Sequence, residues 1–138
     1  MNDGADLKGI QVVGDLYDGA FGRTLLIELR SVEAARWFQA IFLEVAETGA
    51  GLDLARHEPV RLRNVSELEL RVSENPQVKH VALIAPGALV WTCTSEEWMT
   101  CAALLDPLAD GKRGHQYLTE ERFDDVLIEV SYGETHGS

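Results

Sequence analysis

The chain has few of the residues that mark a disulfide framework, a metal centre or a membrane span. Its 138 residues include two cysteines, four histidines and four prolines. Two cysteines do not make the framework of a small secreted domain, so we expect Cys93 and Cys101 to remain thiols in the cytoplasm. The apolar runs, 25–27 and 81–85 among them, are far shorter than the ~20 residues of a membrane helix. The start, 1–6, is acidic and unlike a signal peptide.

Positive charge is also scarce. Twelve Lys and Arg stand against 23 Asp and Glu, a formal net charge of −11. Phosphate backbones and anionic lipids repel such a chain, so we expect neither nucleic-acid binding nor membrane binding. With 46% hydrophobic and 25% charged residues, the composition is that of a globular domain. We expect one α+β domain over 1–138, with loose tails at 1–6 and 134–138.

Several catalytic signatures are missing. The sequence has no Gly-x-Gly-x-x-Gly motif, P-loop, Gly-x-Ser-x-Gly elbow or His-Glu-x-x-His motif. It therefore predicts no cofactor and assigns no catalytic residue.

Hydrophobic patterning predicts alternating strands and helices. Apolar residues of period two, or short apolar runs, bounded by turn residues predict strands. These strands are expected at 7–17, 24–30, 60–63, 65–72, 80–85, 89–93 and 126–132. Ser31 should begin a helix over 32–47 that Gly49 ends, and Thr94 with Glu97 should form a capping box on a second helix. The fold class is α+β: a mainly antiparallel sheet of about five to seven strands with two helices packed on one face.

Three further expectations concern local structure. Because a type II turn at Pro86-Gly87 would splay two strands, we expect a longer hairpin loop there. The stretch 109–125 should be an irregular connection. The segments around Ser31 and Ser95 echo each other as hairpin, helix and strand, which we attribute to capping chemistry rather than duplication. The core or its rim should contain Trp37, Phe38, Ile41, Phe42, Leu83, Trp91, Trp98 and Leu105.

The cysteines allow two site hypotheses. Cys93 and Cys101 could bind a metal with His115, although tight Cys-x-x-Cys spacing is absent. Cys93 precedes a helix start and could be a nucleophile if His80 or His115 were its base. We favour buried structural thiols, and no metal site is assigned.

Arg61 and Arg63 lie on one predicted strand face. They could bind a phosphate or a carboxylate, but cross-strand pairing with Glu67 and Glu69 is the favoured interpretation.

The 109–134 segment supplies the candidate contact residues. Acidic residues crowd its second half, while a histidine and a tyrosine lie in the predicted loop, and loops often carry function. A solvated face is the favoured interpretation of these carboxylates. They could also meet a basic partner, where charge complementarity would speed encounter, and binding calcium or doing acid–base work is the least favoured alternative. The predicted partner-binding residues are His115, Tyr117, Glu120, Glu121, Asp124 and Asp125.

In size, acidity and α+β make-up the chain resembles small acidic bacterial immunity proteins, which neutralise toxins by binding them. The resemblance rests on no motif and implies no residue roles. The first hypothesis is therefore a non-catalytic, immunity-type binding protein for a basic partner protein. The second is a homodimeric interaction module with Trp37 and Leu43 at the contact, and the third is a small enzyme with a pocket around His115.

Overall fold

The computed structural model describes residues 9–19, 22–120 and 122–134. These residues form nine strands and three α-helices, with a short 3₁₀ turn (Leu54–Arg56). In chain order the elements are β1 (Val12–Gly19), β2 (Gly22–Leu29), α1 (Val32–Thr48), β3 (Leu52–Asp53), β4 (Val60–Arg63), β5 (Glu67–Val72), β6 (Val81–Ala85), β7 (Ala88–Cys93), α2 (Ser95–Leu104), α3 (Asp106–Ala109), β8 (Gly114–Tyr117) and β9 (Leu127–Tyr132). The predicted α+β class is confirmed.

Capping chemistry begins both long helices where the sequence predicts. The Ser31 hydroxyl accepts a hydrogen bond from the Ala34 amide, and Gly49 ends α1 in the left-handed conformation. Thr94 and Glu97 form the expected capping box at α2. No helix among the described residues combines the length and apolar character needed to cross a bilayer.

Some local predictions are wrong. The 109–125 connection is not irregular throughout, because it contains β8. The β6–β7 hairpin closes through Pro86-Gly87 alone, since Ala85 pairs with Ala88. A register shift between Leu83 and Ala85 accommodates this short turn in place of the longer loop that we expected.

The chain ends fall largely outside the described residues. These omit the predicted tail 1–6 and residues 7–8 of the first predicted strand, while 9–11 are not in a strand. Glu134, which we had placed in a loose tail, is described and hydrogen-bonds through its carboxylate to His115 Nδ1.

The strands form two sheets rather than one. The first sheet has the order β4-β1-β2-β9-β8, and the second has the order β3-β5-β7-β6. Both hairpins, β8–β9 and β3–β5 are antiparallel, whereas β2–β9, β5–β7 and β1–β4 are parallel. Each long helix therefore leads from one hairpin to a strand that lies beside the other hairpin.

The two sheets repeat the same pairing residue by residue. The β2–β9 pairing begins at Thr24–Leu127 and the β7–β5 pairing at Ala88–Glu67, and each continues for six residue pairs. The antiparallel strands outside them keep the same register: Glu129 lies between Leu26 and Tyr117, and Glu69 lies between Val90 and Asp53. The two halves thus have equivalent strand pairing, and each contributes a strand to the sheet of the other. The echo around Ser31 and Ser95 that we had attributed to capping is structural.

One apolar cluster joins both sheets to both long helices. At its centre the Phe42 ring lies 5.5 Å from that of Trp91 and 5.3 Å from that of Trp98, and Trp91 and Trp98 are 4.9 Å apart. Such aromatic pairs add stability beyond the area that they bury. All eight predicted core or rim residues lie in this cluster or pack against it.

The exchanged strands predict that neither half of the molecule folds alone as a monomer. A chain divided between Asn75 and Pro76 should give two fragments without cooperative unfolding, because each lacks the strand that completes its sheet. Mixing them should restore the circular dichroism of the intact protein. Cooperative unfolding of either isolated monomeric fragment would contradict the pairing.

Candidate functional site

The acidic segment that we proposed as one contact surface is divided between the two sheets. Asp124 Oδ1 accepts hydrogen bonds from the backbone amides of His80 and Val81, and its Oδ2 accepts one from the Glu120 amide at 3.0 Å. Because three backbone donors converge on one carboxylate, Asp124 holds the segment before β9 against the start of β6.

Asp125 continues this attachment along β6. Its carboxylate accepts a hydrogen bond from the Leu83 amide at 2.9 Å and forms an ion pair with Lys79 at 2.8 Å. The Lys79 ammonium, followed by the Leu83 amide, lowers the pKa of Asp125. Both predicted partner-binding aspartates are therefore engaged within the chain, while Glu121 lies outside the described residues.

His115 and Tyr117 lie elsewhere, on edge strand β8 of the first sheet. The outer face of this sheet points away from the core: Leu25 and Ile27 belong to the core cluster, whereas Leu26 between them does not. The buried residues of both long helices also belong to that cluster, so the helices lie on the inner side. We call the outer residues at this place the tyrosine–acid face, which consists of Asp15, Tyr17, His115, Tyr117, Glu129 and Glu134.

The register of the strands places the residues of the tyrosine–acid face close to one another. Asp15, Leu26, Glu129 and Tyr117 follow one another across β1, β2, β9 and β8. A ligand nitrogen of His115 and a carboxylate oxygen each from Glu129 and Glu134 lie within 4.8 Å of one another. Two carboxylates thus flank one imidazole at the edge of the sheet.

The two tyrosines are half-exposed, Tyr17 at 42% and Tyr117 at 45%. Partial burial, followed by the charge of Glu129, raises the pKa of both phenols. Asp15 adds to the shift at Tyr17, and Glu134 adds to that at Tyr117. Both side chains are neutral phenols at physiological pH, in a region of negative potential.

Comparison of the two halves shows that Glu129 and its counterpart differ in their ion pairing. Its counterpart in the second sheet, Glu69, is neutralised by Arg71, whose Nε lies 2.8 Å from the Glu69 carboxylate and lowers its pKa. The position that matches Arg71 in β9 is Ser131, which is buried and carries no charge. Among the described residues Glu129 has no ion-pair partner, so its charge remains available.

Two open cavities border this face. One of about 430 Å³ includes Asp15, Tyr17 and Leu26 in its wall, and one of about 470 Å³ includes Glu134. Glu28 and Arg30 line both, so the cavities adjoin. Neither is lined by His115, which is 41% exposed at its side chain. The enzyme hypothesis requires an enclosed pocket around His115, and neither of these two cavities provides one.

A second group of reactive side chains lies between the segment before β6, the end of β7 and α2. His80, Cys93 and Glu97 each place one ligand atom within 4.8 Å of the others, and His80 Nε2 lies 3.1 Å from Glu97 Oε2. Together with Cys101 they line a cavity of about 300 Å³. Spacing along the chain gave no signal for this group, because His80 and Glu97 meet only through the hairpin and the capping box.

The cysteine hypotheses change accordingly. Cys101, then burial, then the charge of Glu97 raise the pKa of the Cys93 thiol far above its ordinary value. A nucleophilic cysteine needs the opposite shift, so the geometry gives that hypothesis no support. The proposed metal site of Cys93, Cys101 and His115 names the wrong histidine. His80 lies beside Cys93, whereas His115 lies with Glu129 and Glu134.

The predicted pairing of Arg61 and Arg63 with Glu67 and Glu69 is also wrong. Strand β4 lies in the first sheet and β5 in the second, so they are not neighbours. Arg61 Nη1 instead donates to the backbone carbonyls of Glu58 and Val60.

Comparison with known proteins gives no further assignment. No protein-family model matches the chain, and no significant match was found among curated proteins or solved structures.

The three amides held by Asp124 predict a measurable loss of stability in Asp124→Asn. Because an amide side chain has one acceptor oxygen and no charge, unfolding should require about 2 kcal/mol less free energy, read from urea titration. Asp18→Asn is the matched control: Asp18 is 79% exposed in its pair with Arg23 and should cost less than about 0.5 kcal/mol. Equal losses in the two variants would contradict the attachment role.

Proposed function

We propose that this protein is a non-catalytic binding protein that recognises a basic protein partner through the tyrosine–acid face. The observation that carries the proposal is a carboxylate, Glu129, which has no ion-pair partner among the described residues and lies opposite the half-exposed Tyr117 in the pairing of β8 with β9. Burial, and then the charge of Glu129, raise the pKa of Tyr117 and of Tyr17. The same negative potential would favour a cation brought by a partner.

The chemistry of this face suits the insertion of an arginine or lysine side chain. Tyrosine offers a rigid apolar ring with a hydroxyl group and is enriched in the residues that dominate interface energetics. A cation over a phenol ring gains about 0.5–2 kcal/mol, depending on how far water is excluded. Glu129, Glu134 and Asp15 would supply the opposite charge around the rings.

Divergence between the two halves supports the same proposal. Glu69 and Glu129 occupy matching registers, yet Glu69 is paired with Arg71 while Glu129 is flanked by Tyr117. An acidic side chain with a structural role alone can be neutralised by an arginine two residues along its strand, as Glu69 is by Arg71. The half without this arginine presents an acidic and aromatic surface.

The net charge of −11 would increase the rate of encounter with a basic partner and make it sensitive to salt. We infer an immunity-type inhibitor of a basic toxin as the role of such a surface. The two cysteines are free thiols, which fits a reducing compartment such as the bacterial cytoplasm.

The homodimer hypothesis receives less support. The Trp37 ring lies 5.9 Å from the ring of His57 in an edge-on contact, so part of its surface is already covered within the chain. Leu43 is 45% exposed, but a lone exposed leucine is ordinary on a protein surface.

The proposal predicts that Glu129→Lys abolishes partner binding. The wild-type protein, immobilised, should retain a basic protein from a lysate of its own cells, and that protein should be released by high salt. With the purified partner, Glu129→Lys should weaken binding at least ~100-fold and Tyr117→Ala by about 2 kcal/mol, both measured by calorimetry.

Glu44→Lys is the matched control, because Glu44 is exposed on α1 and undergoes the same change of charge. It should affect long-range attraction only and leave the affinity within about threefold. Partners that are all acidic, or an equal loss in Glu44→Lys and Glu129→Lys, would contradict the proposal. Light scattering of the wild type at tens of micromolar separates it from the homodimer, which predicts twice the chain mass.

A further inference from the structure

We propose that His80, Cys93, Glu97 and Cys101 bind one thiophilic divalent cation, Zn²⁺, in the cavity between the segment before β6, the end of β7, α2 and the connection between β8 and β9. This site is independent of the tyrosine–acid face, since it lies on the second sheet and shares no residue with it.

The ligand atoms are already gathered. His80, Cys93 and Glu97 each offer one within 4.8 Å of the other two. Around tetrahedral zinc, with metal–ligand distances of about 2.0–2.3 Å, neighbouring ligand atoms are ~3.3–3.8 Å apart. Small side-chain adjustments therefore close the set.

Helix α2 supplies two ligands from one face. Glu97 and Cys101 are four residues apart, so their side chains project to the same side of the helix. The amide of Thr94 donates to Glu97 Oε1 at 2.9 Å, which fixes the carboxylate and leaves Oε2 facing His80. A hydrogen bond of this kind to the second carboxylate oxygen is how outer groups orient zinc ligands.

The fourth group is Cys101, which lines the same cavity as Cys93 but lies outside the set of three whose ligand atoms are within 4.8 Å of one another. Its thiol is the largest cause of the raised pKa of Cys93, which agrees with the two cysteine side chains being neighbours. A bound Zn²⁺ would draw Cys101 into the set and displace the thiol protons to the solvent. The ion would likewise take the place of the proton between His80 Nε2 and Glu97 Oε2.

A buried donor beside the cluster points to an anionic sulfur. The Trp91 indole nitrogen is the one buried side-chain polar atom in the described part of the chain without a hydrogen-bond partner, and Trp91 is fully buried. Trp91 and Cys93 are two residues apart on β7, so their side chains lie on the same face of the strand. A zinc-bound thiolate at Cys93 would be a stronger acceptor for this N–H group than a neutral thiol.

The site is also reachable. The His80 and Glu97 side chains are 28% and 34% exposed, and the cavity that they line has a volume of about 300 Å³. The cysteines behind them are 3% and 6% exposed. An ion can therefore enter from the solvent and meet the sulfur ligands inside. Two thiolates and an imidazole select zinc over calcium or magnesium, which prefer oxygen ligands alone.

Titration of the 138-residue chain, kept reduced with a phosphine, tests the site. Calorimetry with Zn²⁺ should give one ion per chain, and Co²⁺ should produce sulfur-to-metal charge-transfer absorption with the intense visible bands of tetrahedral coordination. Zn²⁺ should also raise the Tm. Absence of uptake by the reduced wild type, or cobalt spectra without sulfur ligation, would overturn the proposal.

Variants locate the ion. Cys101→Ser should weaken zinc binding at least ~100-fold, because even groups outside the ligand shell cost about 10- to 100-fold. His80→Gln should weaken zinc binding by the same factor. Because His80 is part-exposed, this variant should fold and test the site even if a cysteine variant does not fold. His115→Ala is the matched control, because His115 belongs to the exposed cluster with Glu129 and Glu134. Binding lost in His115→Ala but retained in His80→Gln would place the ion elsewhere and overturn the proposal.

Discussion

The parallel pairing of β9 with β2 and of β5 with β7 is the constraint on which the rest of the structure depends. Each long helix carries the chain from its own hairpin to the sheet built on the other hairpin. Neither sheet is complete without a strand from the opposite half, so both sheets and both helices share one core. The Phe42, Trp91 and Trp98 rings meet at its centre, where α1, β7 and α2 converge.

The strand exchange also assembles the surface to which we assign the function. Tyr17 belongs to the first half and Tyr117 to the second, and they act on each other only because β9 and β8 extend the first sheet. The two halves differ in the ion pairing of one glutamate and in their cysteines. Glu69 is neutralised by Arg71, while Glu129 is left between tyrosines; Cys93 and Cys101 are likewise found in the second half alone.

Sequence reasoning was most successful where local chemistry decides the structure. The caps at Ser31 and Thr94 and the apolar core residues follow from patterns within a few residues. It failed where strands far apart in the chain must choose partners: no local signal separates one sheet from two. His80 was therefore not placed beside Glu97, nor Asp124 against β6. His115 and Tyr117 were selected because they were expected in an irregular loop, whereas they lie in the edge strand β8.

Nuclear magnetic resonance of the isotope-labelled protein tests the exchange most directly. The account predicts cross-strand Overhauser effects of parallel type between β2 and β9 around Leu26 and Glu129, and matching ones between β7 and β5 around Val90 and Glu69. Effects that instead join β9 to β7 would show that each half folds on itself. That result would separate Glu129 from Tyr17 and remove the surface on which the proposed function rests.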